Sequence, residues 1–240
     1  MRYLPLLLLL GLVKIGSAIT LEGLIHSFAL QESSFVKKTK DITLLIFTKT
    51  ITQMEEDSLY ELVMRKGEKF RVEKNEKEEP IIIGERDKVW ALFPSKRLWP
   101  TFFRERVYYP LLPQWSKLIP KESEIKETER IGDHLAYKVE VPEKWKWMSP
   151  FSVVYVDSDI LQVLRAKKWD GTLINYSDFR EVIPGVYIPF VIEVFQKDFL
   201  SKREVKMVEM DKGLPDAWFD PENRNIELRI FPIIREFKER

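Results

Sequence analysis

Two histidines and several acidic clusters are the candidate chemical groups of this 240-residue chain, which has no cysteine. His26 and His134 lie far apart, and neither has a neighbour at metal-ligand or triad spacing. Asp157-Ser158-Asp159 could open a calcium loop, but the glycine at the bend and the closing glutamate are missing, so a hairpin turn accounts for it. Glu76, Glu78 and Glu79 interleave with Lys74 and Lys77 ahead of Pro80, the pattern of a solvated loop rather than an acid/base pair. Without cysteine there are no disulfides, thiolate metal sites, thiol nucleophiles or lipid attached through an N-terminal cysteine. The sequence contains no glycine-rich phosphate loop, no G-x-S-x-G and no fixed-period repeat. It therefore predicts no catalytic residue, no metal, no cofactor and no enzyme; an ester hydrolase is an alternative that only measured turnover would revive.

The remaining candidates are apolar and aromatic, with seven tryptophans and 12% aromatic residues overall. They crowd residues 94–120, PSKRLWPTFFRERVYYPLLPQWSKLIP, where Trp99, Phe102, Phe103, Leu111, Leu112 and Trp115 sit among prolines and basic residues. One long helix cannot pass Pro100, Pro110 and Pro113, since each interior proline costs about 3 kcal/mol. The segment is expected to form short broken helices lying on something apolar.

The elements able to support it begin after residue 18. Arg2, the apolar run 4–13 and Gly16-Ser17-Ala18 make a secretory signal with cleavage expected near Ala18. An uncleaved anchor is the alternative, but the run falls short of the ~20 residues of a spanning helix and Lys14 interrupts it. Export to a periplasm follows. Lys+Arg 39 against Asp+Glu 38 leaves no basic excess for nucleic acid.

The mature chain, 19–240, reads as one domain. Thr20 can cap a helix whose Leu21, Leu24, Ile25 and Phe28 form one stripe. From Ile42 onward, runs rich in Ile, Val, Thr, Phe and Tyr alternate with turn residues such as Gly132-Asp133, Asp170-Gly171 and Pro184-Gly185, the pattern of antiparallel hairpins. Strands are expected from 42–53 through 202–210, with a further one at 227–231. The spacing leaves no room for βαβ units.

Strand parity then suggests a cavity. Val186, Ile188, Phe190, Ile192 and Val194 share one dry face; Trp90 and Leu92 oppose Val89, Ala91 and Phe93; Val205 and Met207 oppose Lys206, Val208 and Met210. Several strands are apolar on both sides, and a long twisted sheet tends to curl. The curl could hold a pocket under the proline-broken segment, or its interior could be filled.

The stretches V-M-R-K-G-E-K-F-R-V-E (63–73) and I-I-I-G-E-R-D-K-V-W-A-L-F-P (81–94), followed by VDSDI, Trp169-Asp170-Gly171, Phe179-Arg180, G-V-Y-I-P-F and Leu214-Pro215-Asp216, make the chain resemble the periplasmic outer-membrane lipoprotein carriers and the wider lipoprotein-sorting superfamily. The resemblance implies a mainly β (α+β) fold, an unclosed antiparallel half-barrel of about 11 strands with an N-terminal helix and a helical lid at 94–120. It further implies a hydrophobic cavity for acyl chains of a lipoprotein or lipid, lined by Trp90, Leu92, Phe102, Phe103, Leu111, Leu112, Trp115, Ile188, Phe190, Ile192 and Val194. Arg65 takes the place of the family's lid latch. A monomeric carrier, loaded from an inner-membrane donor complex and unloaded at an outer-membrane acceptor, is the implied function; a periplasmic sensor or regulatory domain on the same half-barrel is the alternative.

Overall fold

The computed structural model describes residues 19–76, 81–85, 88–92, 98–100, 114–223 and 227–239, with 98–100 described by backbone alone. The expected signal, residues 1–18, lies outside the described residues. The Thr20 hydroxyl accepts the Gly23 N–H at 3.1 Å and starts helix α1, Leu21–Lys38. Its stripe extends beyond Phe28 to Phe35, so that Leu24, Phe28 and Phe35 are all buried.

Among the described residues thirteen strands follow: β1 Asp41–Thr52, β2 Glu56–Lys66, β3 Lys69–Lys74, β4 Ile81–Glu85, β5 Lys88–Leu92, β6 Leu98–Pro100, β7 Glu124–Ile131, β8 His134–Glu140, β9 Phe151–Asp157, β10 Val163–Lys168, β11 Leu173–Ile183, β12 Val186–Gln196 and β13 Phe199–Met210. A short helix α2, Trp115–Leu118, precedes β7, and helix α3, Ile230–Glu239, closes the chain. All the strands belong to one antiparallel sheet in the order β6-β5-β4-β3-β2-β1-β13-β12-β11-β10-β9-β8-β7. Two meanders thus meet at β1 and β13, paired from Ile42↔Met210 to Thr52↔Phe199. The outer edges, β6 and β7, stay unpaired with each other.

One apolar cluster joins α1 and α2 to β1, β2 and the run from β13 to β8. These eight consecutive strands would span roughly 34 Å if flat, at about 4.8 Å per spacing, far more than the ~10–12 Å width of a helix. The sheet therefore bends around the helices as an open half-barrel. α1 lies on the concave side, where Leu24, Phe28 and Phe35 join Ile42, Leu44 and Ile46 of β1. On the convex side Leu45, Leu62 and Met64 pack against Leu214, Phe219 and Ile230. β1 is apolar on both faces because it has a helix on each.

Three expectations are corrected. Residues 98–100, assigned to the lid, pair with β5 as the edge strand β6. Residues 227–231 do not form a strand: Ile226, Leu228 and Ile230 mimic strand alternation, but Ile230, Ile233, Ile234 and Phe237 recur at helical spacing and α3 starts there. Val205 and Met207 do not share a face. Between Leu45 and Ile46 the register shifts, pairing Leu45 with Met207 and Ile46 with Val205, so that Val205 joins the concave cluster and Met207 the convex one.

Candidate functional site

Where α1 leaves the concave face of β11 and β12, a cleft remains. Phe28 and Phe35 of α1, Trp115 of α2, Tyr176 and Phe179 of β11 and Val186 of β12 make its apolar walls, and Gln31, Glu32, Gln114, Gln162 and Arg65 its polar rim. Tyr176 and Phe179 have opposite strand parity, yet both face it. Between them Asp178 holds a left-handed φ of 53°, which interrupts the alternation, and its carboxylate pairs with the Arg180 guanidinium at 2.7 Å. Trp115 is fixed from two sides, its ring centroid 5.2 Å from Phe151 and 5.8 Å, edge-on, from Tyr176. Burial pushes the Tyr176 phenol above its ordinary value, with Arg203 pulling weakly the other way.

The cleft's volume is about 90 Å³, against roughly 300–1,000 Å³ for sites that enclose a drug-sized ligand. At about 30 Å³ per water-sized group, it admits roughly three such groups. α1 itself fills most of the trough. Its polar ties are few: the Glu32 carboxylate accepts the Ser116 N–H at 3.0 Å and the Ser116 hydroxyl, Gln162 donates to Gln31, and Lys38 Nζ donates to the Pro184 carbonyl at 3.1 Å.

Of the residues nominated from sequence, Trp115 lines this cleft and Arg65 stands at its rim. Arg65 Nε donates to the Gly67 carbonyl at 2.7 Å, and its guanidinium lies 5.6 Å from the Phe35 ring centroid. Ile188 and Ile192 are buried in the concave cluster, with Phe190 and Val194 packed against it. Trp90 and Leu92 are not brought to them. Trp90 pairs with Ile83, which pairs with Arg71 and through it with Met64, so Trp90 shares the convex side, and Leu92, of the same parity, goes with it. Phe102, Phe103, Leu111 and Leu112 lie outside the described residues. Phe28, Phe35, Tyr176, Phe179 and Val186 were not nominated; the helix stripe and the dry face of β12 were the signals for Phe28 and Val186.

His134 and Asp157, weighed as chemical groups, hold a turn. His134 Nδ1 lies 2.6 Å from Asp157 Oδ2, while Asp157 Oδ1 accepts the N–H groups of Asp159 and Ile160 at 2.7 and 2.9 Å, closing the β9–β10 turn. No helix among the described residues is long and apolar enough to cross a membrane.

No protein-family model and no curated protein matches the sequence. Solved structures do match the fold. A DUF1329 family protein from Desulfovibrio piger aligns with a TM-score of 0.61 at 14% identity, covering 83% of this chain and 96% of that one. A putative outer membrane lipoprotein-sorting protein domain from Vibrio parahaemolyticus gives 0.59 at 9% identity, over 82% of this chain and 95% of its own. A LolA superfamily protein from Nitrosomonas europaea gives 0.56 at 14% identity, over 85% and 98%. At such identities the likeness is one of fold: this chain shares the open half-barrel architecture of these structures.

Proposed function

We propose that the chain is exported to the periplasm, loses its signal near Ala18, and carries the acyl chains of a lipid or lipoprotein toward the outer membrane as a monomer, without catalysing a reaction. The observation that carries this reading is the cleft beneath α1, with aromatic and aliphatic walls and a rim of amide and charged groups. The shared fold with a lipoprotein-sorting domain supports it. Loading from an inner-membrane donor and delivery to an outer-membrane acceptor belong to the same proposal, as does a contribution to the cover of those residues of 94–120 that lie outside β6.

Binding a whole acyl chain requires α1 to move. Its three buried anchors, Leu24, Phe28 and Phe35, contribute about 1.5–3 kcal/mol each, so lifting it costs roughly 5–9 kcal/mol. A chain of about fifteen methylenes gains about 0.8 kcal/mol per group, near 12 kcal/mol before ordering losses. Cargo therefore supplies enough to hold the open state, and its departure lets the helix return.

Native mass spectrometry of the mature protein, expressed with its signal, tests this: co-purifying lipid mass is expected. A bare chain that also takes up no fluorescent fatty acid would overturn the proposal. The small cleft volume favours a second reading, a regulatory interaction domain on the same half-barrel. That reading predicts a stoichiometric protein partner and no lipid.

A further inference from the structure

Arg203 of β13 turns its charge into the trough. It lies opposite Thr48 of β1 and Ile192 of β12, and Ile192 lies opposite Tyr176 of β11. Tyr176, Ile192 and the next inward residue of β13, Val205, all belong to the concave cluster, so the row from Tyr176 through Ile192 and Arg203 to Thr48 faces inward. The Arg203 Nε is buried without a hydrogen-bond partner, and its guanidinium makes no ion pair among the described residues.

Tyr176 completes the pair of unengaged donors. It is 7% exposed and lines the cleft, and no described residue hydrogen-bonds its hydroxyl. The Arg203 charge acts on this phenol against the effect of burial. The two side chains therefore share one neighbourhood, although their Cα atoms stand about 10 Å apart, two strand spacings.

The acids of the trough are placed elsewhere. Among the described residues no acidic side chain faces inward on β1, β12 or β13, nor on β11 as far as Tyr176. On β2 Glu61 faces inward, opposite Ile46 and Lys74, and its carboxylate accepts the Thr48 hydroxyl at 3.4 Å. It makes no ion pair with Arg203. Asp57 shares the parity of Glu61 but is exposed near the start of its strand. From α1 the Glu32 carboxylate is taken by the Ser116 N–H and hydroxyl.

A buried donor without an acceptor is unfavourable, and a fold that keeps one at a cleft has a place for an acceptor from outside. A guanidinium in apolar surroundings selects an oxyanion, carboxylate or phosphate, which it meets with parallel N–H groups; the neutral phenol adds a further donor. Val205, Ile192, Val194 and Ile174 around the pair suit an alkyl tail rather than a bare ion.

We propose that the trough selects acyl chains that carry an oxyanion, a carboxylate or a phosphate, and that Arg203 and Tyr176 hold this group at the inner wall of the cleft. The inference rests on the acyl-binding reading of the cleft and adds the class of cargo. Chains linked only through esters and amides have no group for Arg203.

The test is calorimetric titration of the delipidated mature protein with dodecanoate, dodecyl phosphate, methyl dodecanoate and dodecyltrimethylammonium. At least one of the two anions is expected to bind about tenfold or more tighter than the ester, with the cation weakest. Arg203→Gln brings the anions down to the affinity of the ester and leaves the ester unchanged, and Arg203→Lys restores part of the difference. Tyr176→Phe weakens the anions by about three- to tenfold. Because Arg203 has no partner in the unloaded fold, Arg203→Gln keeps the melting temperature of the unloaded protein, and dodecanoate raises that of the parent more than that of the variant. Tighter binding of the carboxylate points to free fatty acids and of the phosphate to phosphorylated lipids; either upholds the oxyanion site. Equal affinity for the anions and the ester, or an anion preference that survives Arg203→Gln, overturns the inference and leaves the acyl-binding reading standing. A lower melting temperature of unloaded Arg203→Gln with an equal loss of ester and anion binding shows a structural role and also overturns it. Failure of all four compounds to bind overturns both.

Discussion

The Arg65 guanidinium on β2 lies 5.6 Å above the Phe35 ring on α1, at the rim of the cleft that α1 covers. A cation over an aromatic face at such a site contributes about 0.5–1 kcal/mol, which favours the covered state by roughly two- to fivefold. Arg65→Leu keeps the apolar stem and removes the charge and the hydrogen bond to Gly67. Cargo that binds the uncovered state should then bind two- to fivefold tighter and leave more slowly, as measured by displacement of a fluorescent fatty acid. Unchanged affinity and release would remove Arg65 from the latch role.

Val186 is 2% exposed and forms one wall of the cleft. Val186→Trp places an indole in a space of about 90 Å³. Overpacking costs about 1–3 kcal/mol, which a folded chain survives. The variant should remain folded by circular dichroism and lose fatty-acid uptake by at least about tenfold; full uptake would place the acyl site elsewhere.

Tyr176 gives the fold an alkaline limit. Its phenol is buried, and burial raises its pKa in the native state above the ordinary value of 10.0. Above that ordinary value the unfolded chain has released this proton while the native chain retains it. The unfolded state then binds fewer protons, so stability falls as pH rises, by up to about 1.4 kcal/mol per pH unit for this one group. Urea denaturation across the alkaline range should show this slope in the parent and a slope shallower by one proton in Tyr176→Phe.

Glu73 holds the C-terminal helix to the convex face. Its carboxylate accepts the N–H groups of Arg229 and Ile230 at 2.7 and 2.9 Å and pairs with Arg71 at 2.6 Å, both side chains being buried. Arg71 in turn donates to the carbonyls of Trp218 and Glu227 at 3.1 and 2.7 Å. Glu73→Ala leaves a buried guanidinium without its counter-charge, and a loss of about 3–5 kcal/mol is expected in urea denaturation. Hydrogen exchange in α3 should rise further than in α1, because the helix start loses its acceptor. Equal acceleration in both helices would argue against a specific tie.

Local patterns in the chain were readable because their energies are local. The Leu21–Phe28 stripe, the Thr20 cap, the Asp157 and Asp170 turns and the alternation of β12 depend on residues a few positions apart, and each appears where the spacing places it. The end of the chain misled for the same reason. Ile226, Leu228 and Ile230 satisfy a strand template over five residues, and only the longer window to Phe237 reveals the helix.

The sequence by itself determined the class of fold: exposed turn residues and two-residue periodicity demand antiparallel hairpins, and strands apolar on both sides demand cover on both. It could not determine which side each strand turns to the trough. The bulge at Leu45 and Ile46 and the left-handed Asp178 each reset the parity of neighbouring side chains, and the side taken by Trp90 follows only from pairing across four strands to Met64. The cleft arises where α1 ends its contact with β11 and β12, groups more than a hundred residues apart in the chain. Its position is set by curvature and register, which are properties of the assembled sheet.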